Sequence, residues 1–411
     1  MVLEAQNKLQ RIVALHEELA GVNDLDILLE HILTRARQFM RADAGSIYVR
    51  DGEMLKFSYT QNDTLRRRLP PGKKLIYTTF CIPINPASIA GYVASTGRAL
   101  NIPDAYALAP DLPYHFNREY DDLSDYRTHS VLTVPLRTSQ GAIVGVLQLI
   151  NALDDADRPM PFAGEDEQTI GLFANSAAVA LERAQMTRAL ILRMMSMAEL
   201  RDPKETGAHV NRVGAFSVEI YETWARARGL PSAEIDRQRD LLRLAAMLHD
   251  VGKVAISDVI LKKPGRLTPE EFTAMKEHAR MGYRLFINPC SPFDAAAAAV
   301  ALSHHECWDG AGYPGHVDPA TGEPRPGHLD AAGKPRGLRG EEIPLFGRVV
   351  AVADVYDALR SRRVYKDAMD EGAVLEIIAA ERGKKFDPAL VDAFFACHEV
   401  LCSIGERYAE A

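Results

Sequence analysis

The chain has too little cysteine to build a scaffold on. Its 411 residues hold five, Cys81, Cys290, Cys307, Cys397 and Cys402, with no CxxC pair among them. Neither a disulfide framework nor a zinc ribbon is indicated, and a reducing, cytoplasmic setting fits. Also missing is any unbroken run of about 20 apolar residues that would cross a bilayer. The alanine stretch at 295–299 is far too short, so no membrane is expected. Positive charge is scarce as well. With 48 Lys and Arg against 56 Asp and Glu, the formal net charge is -8. That offers no global field for a nucleic-acid polymer, yet leaves room for a small phosphorylated ligand met by local cations. The opening residues 1–21 lack the apolar core of a secretion signal, being interrupted by Glu4, Lys8 and Arg11. They read as an amphipathic helix.

What is present suits a globular protein of two domains, with 47% hydrophobic and 25% charged residues. Histidine is unevenly spread. His16, His31, His115 and His129 lie in the first part, and the other eight of twelve fall from His209 onward, so metal or acid–base chemistry belongs to the second half. Between the two parts, Ile170, Phe173, Ala177, Leu181, Ala184, Ile191, Met194 and Ala198 recur at helical steps, broken by Glu182, Arg183 and Arg188. This spacing predicts one long amphipathic helix. It suits a signalling helix that pairs with its twin in a homodimer, and would equally serve a helix packed on its own domain.

In the first part, residues 25–40 have helical apolar spacing behind the cap candidates Asn23 and Asp24. Residues 46–49 and 54–59 read as strands around Asp51–Gly52. Further on, SVLTVPL and AIVGVLQLIN are β-rich runs joined by TSQG, and a last helix starts near 162–166. The sum is an α/β sheet with helices on one side. In this order, IAGYVASTGRALNIPDA, VLTVPL and GVLQLIN resemble a GAF domain over about 22–185. The resemblance implies a central antiparallel sheet that can hold an unknown small ligand against its helices. Asn151, Phe162, Asp166 and Glu167 match a pattern found in cyclic-nucleotide-binding members, but Ala152 stands where a lysine is expected. These residues read as scaffold, and no sensor ligand follows from them.

The strongest local signal is His249–Asp250, at the end of the apolar LLRLAAML and just before Gly252 and Lys253, which would stop the helix. A His–Asp dipeptide alone is a capping or surface feature. It gains weight from company: Glu205 and His209 at i and i+4, His278, the doublet His304–His305, and Asp354. His209 and Glu205 project from the side of a helix whose inner stripe is Val213, Phe216, Ile220 and Trp224. Asp354 interrupts the apolar VVAVA, where an unpaired buried charge would be costly and a nearby cation would remove the cost. Imidazoles and carboxylates on separate helices are the ligand set of borderline metals. By contrast His316, His328 and His398 lack such company and read as structural or exposed.

The segments RDPKETGAH, HDVGK, EHARMG, HHECWDGAGYP and ADVYDALRSRRVYK occur in the order of the HD-GYP family, which the second half resembles over about 199–400. The resemblance implies an all-α domain that hydrolyses cyclic di-GMP to linear pGpG or GMP at two or three divalent ions, iron or manganese first. The implied metal ligands are Glu205, His209, His249, Asp250, His278, His304, His305 and Asp354. Asp250 would bridge ions and act in catalysis with Lys253, while Lys253, Tyr313, Arg363 and Lys366 would meet the substrate. Metal activation of water explains why no serine or cysteine nucleophile is needed. Gly312–Tyr313–Pro314 forms the GYP loop, linked in the family to contacts with cyclic di-GMP synthase domains; Tyr313 could equally be a packing residue. Glu205 sits where three-metal members carry a ligand, although a solvated charge in a first helical turn is also favourable.

Two features depart from the family. Residues 315–336 are inserted before the segment 337–344, as an exposed loop or else a lid or partner contact. Arg360, Arg362 and Val364 replace the family's usual residues, adding positive charge near the substrate. The expected organisation is thus an N-terminal helix at 1–21, a GAF-like sensor at 22–176, a connecting helix at 177–198 and an HD-GYP phosphodiesterase at 199–411. Two rivals remain: another nucleotide phosphohydrolase of the wider HD superfamily, and a catalytically weak cyclic di-GMP-binding sensor or adaptor.

Overall fold

The computed structural model describes residues 14–15, 17–70, 80–199, 207–360 and 369–408. The chain divides into two compact units, Met1–Arg188 and Ala189–Ala411.

The first unit is an antiparallel sheet between helices. Helix α1 (Leu25–Met40) starts where Asp24 Oδ1 accepts the N–H groups of Asp26 and Ile27 at 3.0 and 3.1 Å, and ends at Arg41 in the left-handed region. The chain then runs through β1 (Ala42–Asp51), β2 (Met54–Asn62) and β3 (Cys81–Pro83) to helix α2 (Ile89–Thr96). It continues through β4 (Leu100–Ile102), β5 (Val131–Arg137), β6 (Ile143–Leu153) and β7 (Pro159–Met160). The strand order is β3-β2-β1-β6-β5-β4, with β7 paired to β6. Because side chains alternate along a strand, Ile47 of β1 enters one core while Tyr48 enters another.

Ile47, Leu132, Leu147 and Leu149 pack on α1 and on the start of the long helix α3 (Gly164–Glu199). On the opposite face, Tyr48 and Val146 meet Ala90, Val93 and Ala94 of α2. Helices therefore cover both faces, which corrects the expectation of helices on one side. Asn151 is structural: its Oδ1 accepts the His129 and Ser130 N–H groups, and its Nδ2 donates to the Tyr126 hydroxyl and the Arg127 carbonyl. Along α3, Leu172, Val179 and Met186 stand seven residues apart and exposed.

The second unit is helical. Its core joins Val213, Phe216 and Ile220 of α4 (Gly207–Ala227) to α5 (Ser232–Met247), α7 (Pro292–Ser303), α8 (Leu345–Arg360), α9 (Glu371–Ala380) and α10 (Pro388–Arg407), with α6 (Pro269–Arg284) ahead of α7. Helix α10 is, among the described residues, long and apolar enough to cross a membrane by length and composition. The sequence reading passed it over. Its Leu390, Val391, Phe394 and Leu401 are buried in this core.

Candidate metal centre

The site is assembled where helices end. Helix α5 stops at Met247, so His249 and Asp250 lie in the turn that leads to a short 3-10 turn at Val251–Ala255. Gly252 matters here for closeness. A Cβ on it would collide with the His278 carbonyl oxygen and the Gly282 backbone nitrogen, so only glycine lets this turn lie against α6 and bring Asp250 to His278. His304 caps the C-terminus of α7 and His305 follows it. His209 comes from α4, and Asp354 and Asp357 from α8.

Two groups of ligand-type atoms result: Asp250 with His278, His304 and His305, and His209 with His249 and Asp354. Asp250 reaches toward both. Its Oδ1 lies 3.1 Å from His278 Nε2 and 3.6 Å from His304 Nε2, while its Oδ2 lies 3.3 Å from His249 Nε2. Asp354 Oδ1 stands 3.8 Å from the Nε2 atoms of both His209 and His249.

In His209, His249, His278 and His304 the outer ring nitrogen fixes the tautomer. His249 Nδ1 meets the Ala246 carbonyl at 2.9 Å, His278 Nδ1 the Met275 carbonyl at 2.7 Å, and His304 Nδ1 the Val300 carbonyl at 3.1 Å. His209 Nδ1 lies 2.8 Å from Asp357 Oδ2. Carbonyl and carboxylate oxygens only accept, so Nδ1 carries the proton and Nε2 turns a lone pair inward. Asp250 Oδ1, His278 Nε2 and His304 Nε2 are buried without a hydrogen-bond partner among the described residues. Lone pairs facing a carboxylate oxygen in a dry pocket repel, and a cation between them reverses the sign. These residues fit a metal, and nitrogen with carboxylate oxygen suits a borderline divalent ion.

Charge is balanced on the cluster's flanks. Burial pushes the Asp250 carboxyl up, but the Lys253 ammonium at 2.8 Å and then His249 hold it well below the usual carboxylate range. Burial lowers His304, and lowers His305 strongly with help from the neighbouring His304 and His278; both rings stay neutral and able to ligate. Asp357 is held down to about 2: burial opposes its charge, but His209 and Arg212 outweigh it, Arg212 Nε lying 2.5 Å from Oδ1.

Tyr313 stacks on His305 with ring centroids 4.8 Å apart, and Lys276 Nζ stands 5.1 Å from its ring. The loop it heads is anchored by Glu306, whose two oxygens accept the N–H groups of Gly315 at 2.5 Å and Leu338 at 3.0 Å. Burial pushes that carboxyl up to about 7, against the pull of the two N–H donors. Between these anchors the insertion folds back on itself, with His316 N–H donating to Arg336 and Arg336 N–H to His328.

His209, His249, Asp250, His278, His304, His305 and Asp354 are thus brought together, with Lys253 and Tyr313 beside them. Glu205, Arg363 and Lys366 lie outside the described residues, as do Arg362 and Val364. Arg360 does not add free charge: its Nε lies 3.0 Å from Glu371 Oε2. Sequence reading missed Asp357, although it stands three residues after Asp354 on the same helix. His398 does not stand alone either, since Glu371 and Cys402 join it, and His316 stacks on His328 at 4.0 Å.

Comparison with known proteins agrees with both halves. A GAF domain model matches residues 24–181 and an HD domain model residues 206–359. A cyclic di-GMP phosphodiesterase of Vibrio cholerae is 38% identical over 263 residues, covering 61% of this chain and 49% of the relative. One of Thermotoga maritima is 38% identical over 217 residues, covering 53% and 50%. A 3'3'-cGAMP-specific phosphodiesterase of Vibrio cholerae is 34% identical over 223 residues, covering 54% and 37%. The chain spans about half the length of these relatives or less. With the sheet enclosed by helices in the first unit and the histidine-rich helical second unit each matched by its own model, this chain joins a GAF domain to an HD domain.

Proposed function

We propose that the HD domain is of the HD-GYP type and hydrolyses the phosphodiester bonds of cyclic di-GMP, to pGpG or GMP, with two or three divalent ions. The observation that carries this reading is the pair of ligand groups joined by Asp250, with Asp250 Oδ1, His278 Nε2 and His304 Nε2 buried and without a hydrogen-bond partner among the described residues. In it, His278, His304 and His305 would hold one ion and His209, His249 and Asp354 another, with Asp250 available to both, and Glu205 would serve a third. Iron or manganese is the first choice for this mixed nitrogen and oxygen set. Such ions, when bound, lower the pKa of water toward neutrality and stabilise charge on phosphoryl oxygens.

The rest is the work of the side chains. Lys253, Arg363 and Lys366 place the anionic phosphates and neutralise them, and Tyr313 borders the substrate from the GYP loop. The Glu306 carboxylate holds that loop at both ends of the insertion. The exposed seven-residue stripe of Leu172, Val179 and Met186 supports a homodimer through the connecting helix, by which the GAF domain would regulate turnover. The five scattered cysteines, with no CxxC pair among them, are in keeping with a reducing cytoplasm.

A second substrate is favoured by one observation, the 34% identity to a 3'3'-cGAMP-specific phosphodiesterase. One assay tests both. Protein loaded with ferrous iron or manganese without oxygen is given cyclic di-GMP and 3'3'-cGAMP in parallel, with His249→Ala as control. Cleavage of cyclic di-GMP that the control lacks is expected. Faster turnover of 3'3'-cGAMP would reassign the substrate, and no turnover of either by metal-loaded protein would leave a binding adaptor.

A further inference from the structure

The second unit gathers a third set of ligand-type side chains, beyond residue 359 where the HD domain match ends. Glu371 opens α9. His398 and Cys402 stand at i and i+4 on α10 and so share one face. His398 Nε2 lies 2.6 Å from Glu371 Oε1, 3.5 Å from Cys402 Sγ and 3.4 Å from the Tyr356 hydroxyl. The Tyr356 hydroxyl donates to the same Glu371 Oε1 at 2.8 Å, and a single ring nitrogen has one proton or one lone pair, so His398 Nε2 turned to Glu371 has nothing further to offer Cys402 Sγ. The ligand atoms of Glu371, His398 and Cys402 lie within 4.8 Å of one another.

We propose that Glu371, His398 and Cys402 form a separate metal site for Zn2+, sharing no residue with the groups around Asp250. One ion at their centre serves all three donors at once, with the ring proton of His398 held at Nδ1, the Nε2 lone pair turned to the ion, and the thiol proton of Cys402 released to solvent. The donor types choose the ion. A thiolate disfavours calcium and magnesium, whereas sulfur, imidazole and carboxylate together are a zinc set, with a fourth tetrahedral position left for water. The competing arrangement is an ion pair alone, since Arg360 Nε lies 3.0 Å from Glu371 Oε2. That contact occupies Oε2, while Oε1 faces both His398 Nε2 at 2.6 Å and the Tyr356 hydroxyl at 2.8 Å. Because Tyr356 and Arg360 of α8 both meet Glu371, an ion joining Glu371 of α9 to His398 and Cys402 of α10 would also steady the end of α8, just ahead of the segment carrying Arg363 and Lys366.

Cysteine makes the test selective, because the groups around Asp250 contain none. Metal-free full-length protein is titrated with Co2+, whose thiolate charge-transfer band in the near ultraviolet reports a cobalt–sulfur bond. The band should appear, fade when Zn2+ is added, and vanish in Cys402→Ser, which changes one atom and keeps the fold. It should vanish in His398→Ala, and persist in Cys397→Ser and in His249→Ala. Bound zinc should fall by one ion per chain in Cys402→Ser, and the rise in melting temperature that Zn2+ gives the parent should shrink. Absence of the band in the parent, its survival in Cys402→Ser, or equal zinc content in the two proteins would each overturn the site.

Discussion

Asp250 Oδ1 and His278 Nε2 face each other at 3.1 Å, with no hydrogen bond between them among the described residues. His278 carries its ring proton on Nδ1, which donates to the Met275 carbonyl, so two electron-rich atoms are opposed. Asp250→Asn puts an N–H where the repulsion was and removes the charge that would hold an ion. The variant should melt at the same or a higher temperature than the parent when both are metal-free, yet bind less metal. Its hydrolysis should fall by more than the roughly 10–100-fold typical of an outer-shell change. Metal analysis beside thermal melts checks this. Full metal content in the Asp250→Asn protein would remove Asp250 from the ligand set.

Asp357 acts one step further out, holding His209 Nδ1 at 2.8 Å and pairing with the buried Arg212. Asp357→Asn should weaken metal affinity or activity by about 10–100-fold. Both Asp357→Asn and Asp357→Ala remove the charge that Arg212 pairs with, at a cost of about 3–5 kcal/mol, but only Asn keeps an oxygen able to accept from His209 Nδ1, so Asp357→Ala should lose more metal affinity. Metal titration separates the two variants. Equal affinity losses would mean that the ion pair, and not the imidazole, is what Asp357 serves.

Gly252→Ala tests the close approach that sets the site. The added methyl meets the backbone of His278 and Gly282, which cannot swing aside as a side chain can. A loss of about 1–3 kcal/mol is expected, the range of overpacking, together with reduced metal binding. The denaturation midpoint should fall at unchanged m-value. A midpoint equal to that of the parent would show that Gly252 only ends a helix.

That residue also marks where the sequence ceased to be legible. Gly252 reads correctly as a helix stop, but its second role depends on a backbone from α6, some 26 positions later in the chain. Helix α1 was readable from its 3–4 spacing and its Asp24 cap because both signals are local. Helix α2 was not placed, since IAGYVAST carries little contrast between its faces to say which side of the sheet it covers. His209, His249, His278 and His304 could be singled out by order and company. Asp357 could not: it looks like any polar residue of a helix until the fold brings His209, 148 positions earlier, to its side. Glu371, His398 and Cys402 were hidden for the same reason, as only the i, i+4 pair is local.

Lys253 offers the last test, because its ammonium lies 2.8 Å from Asp250 Oδ2 and two roles predict different outcomes. If it chiefly offsets the Asp250 charge, ions bound at Asp250 would take over that task, and Lys253→Met would lower stability only in metal-free protein. If it meets substrate phosphate, the variant should keep its ions and lose cleavage efficiency. A hydrogen bond to a charged group is worth about 1.5–3 kcal/mol, which corresponds to roughly a 10–150-fold loss in kcat/KM. The second outcome is expected, since Lys253 is partly exposed while Asp250 is almost wholly buried, leaving the ammonium able to turn toward a ligand. Measuring metal content and kcat/KM on the same preparation decides it. Unchanged kcat/KM with full metal would confine Lys253 to neutralising Asp250 when no ion is bound.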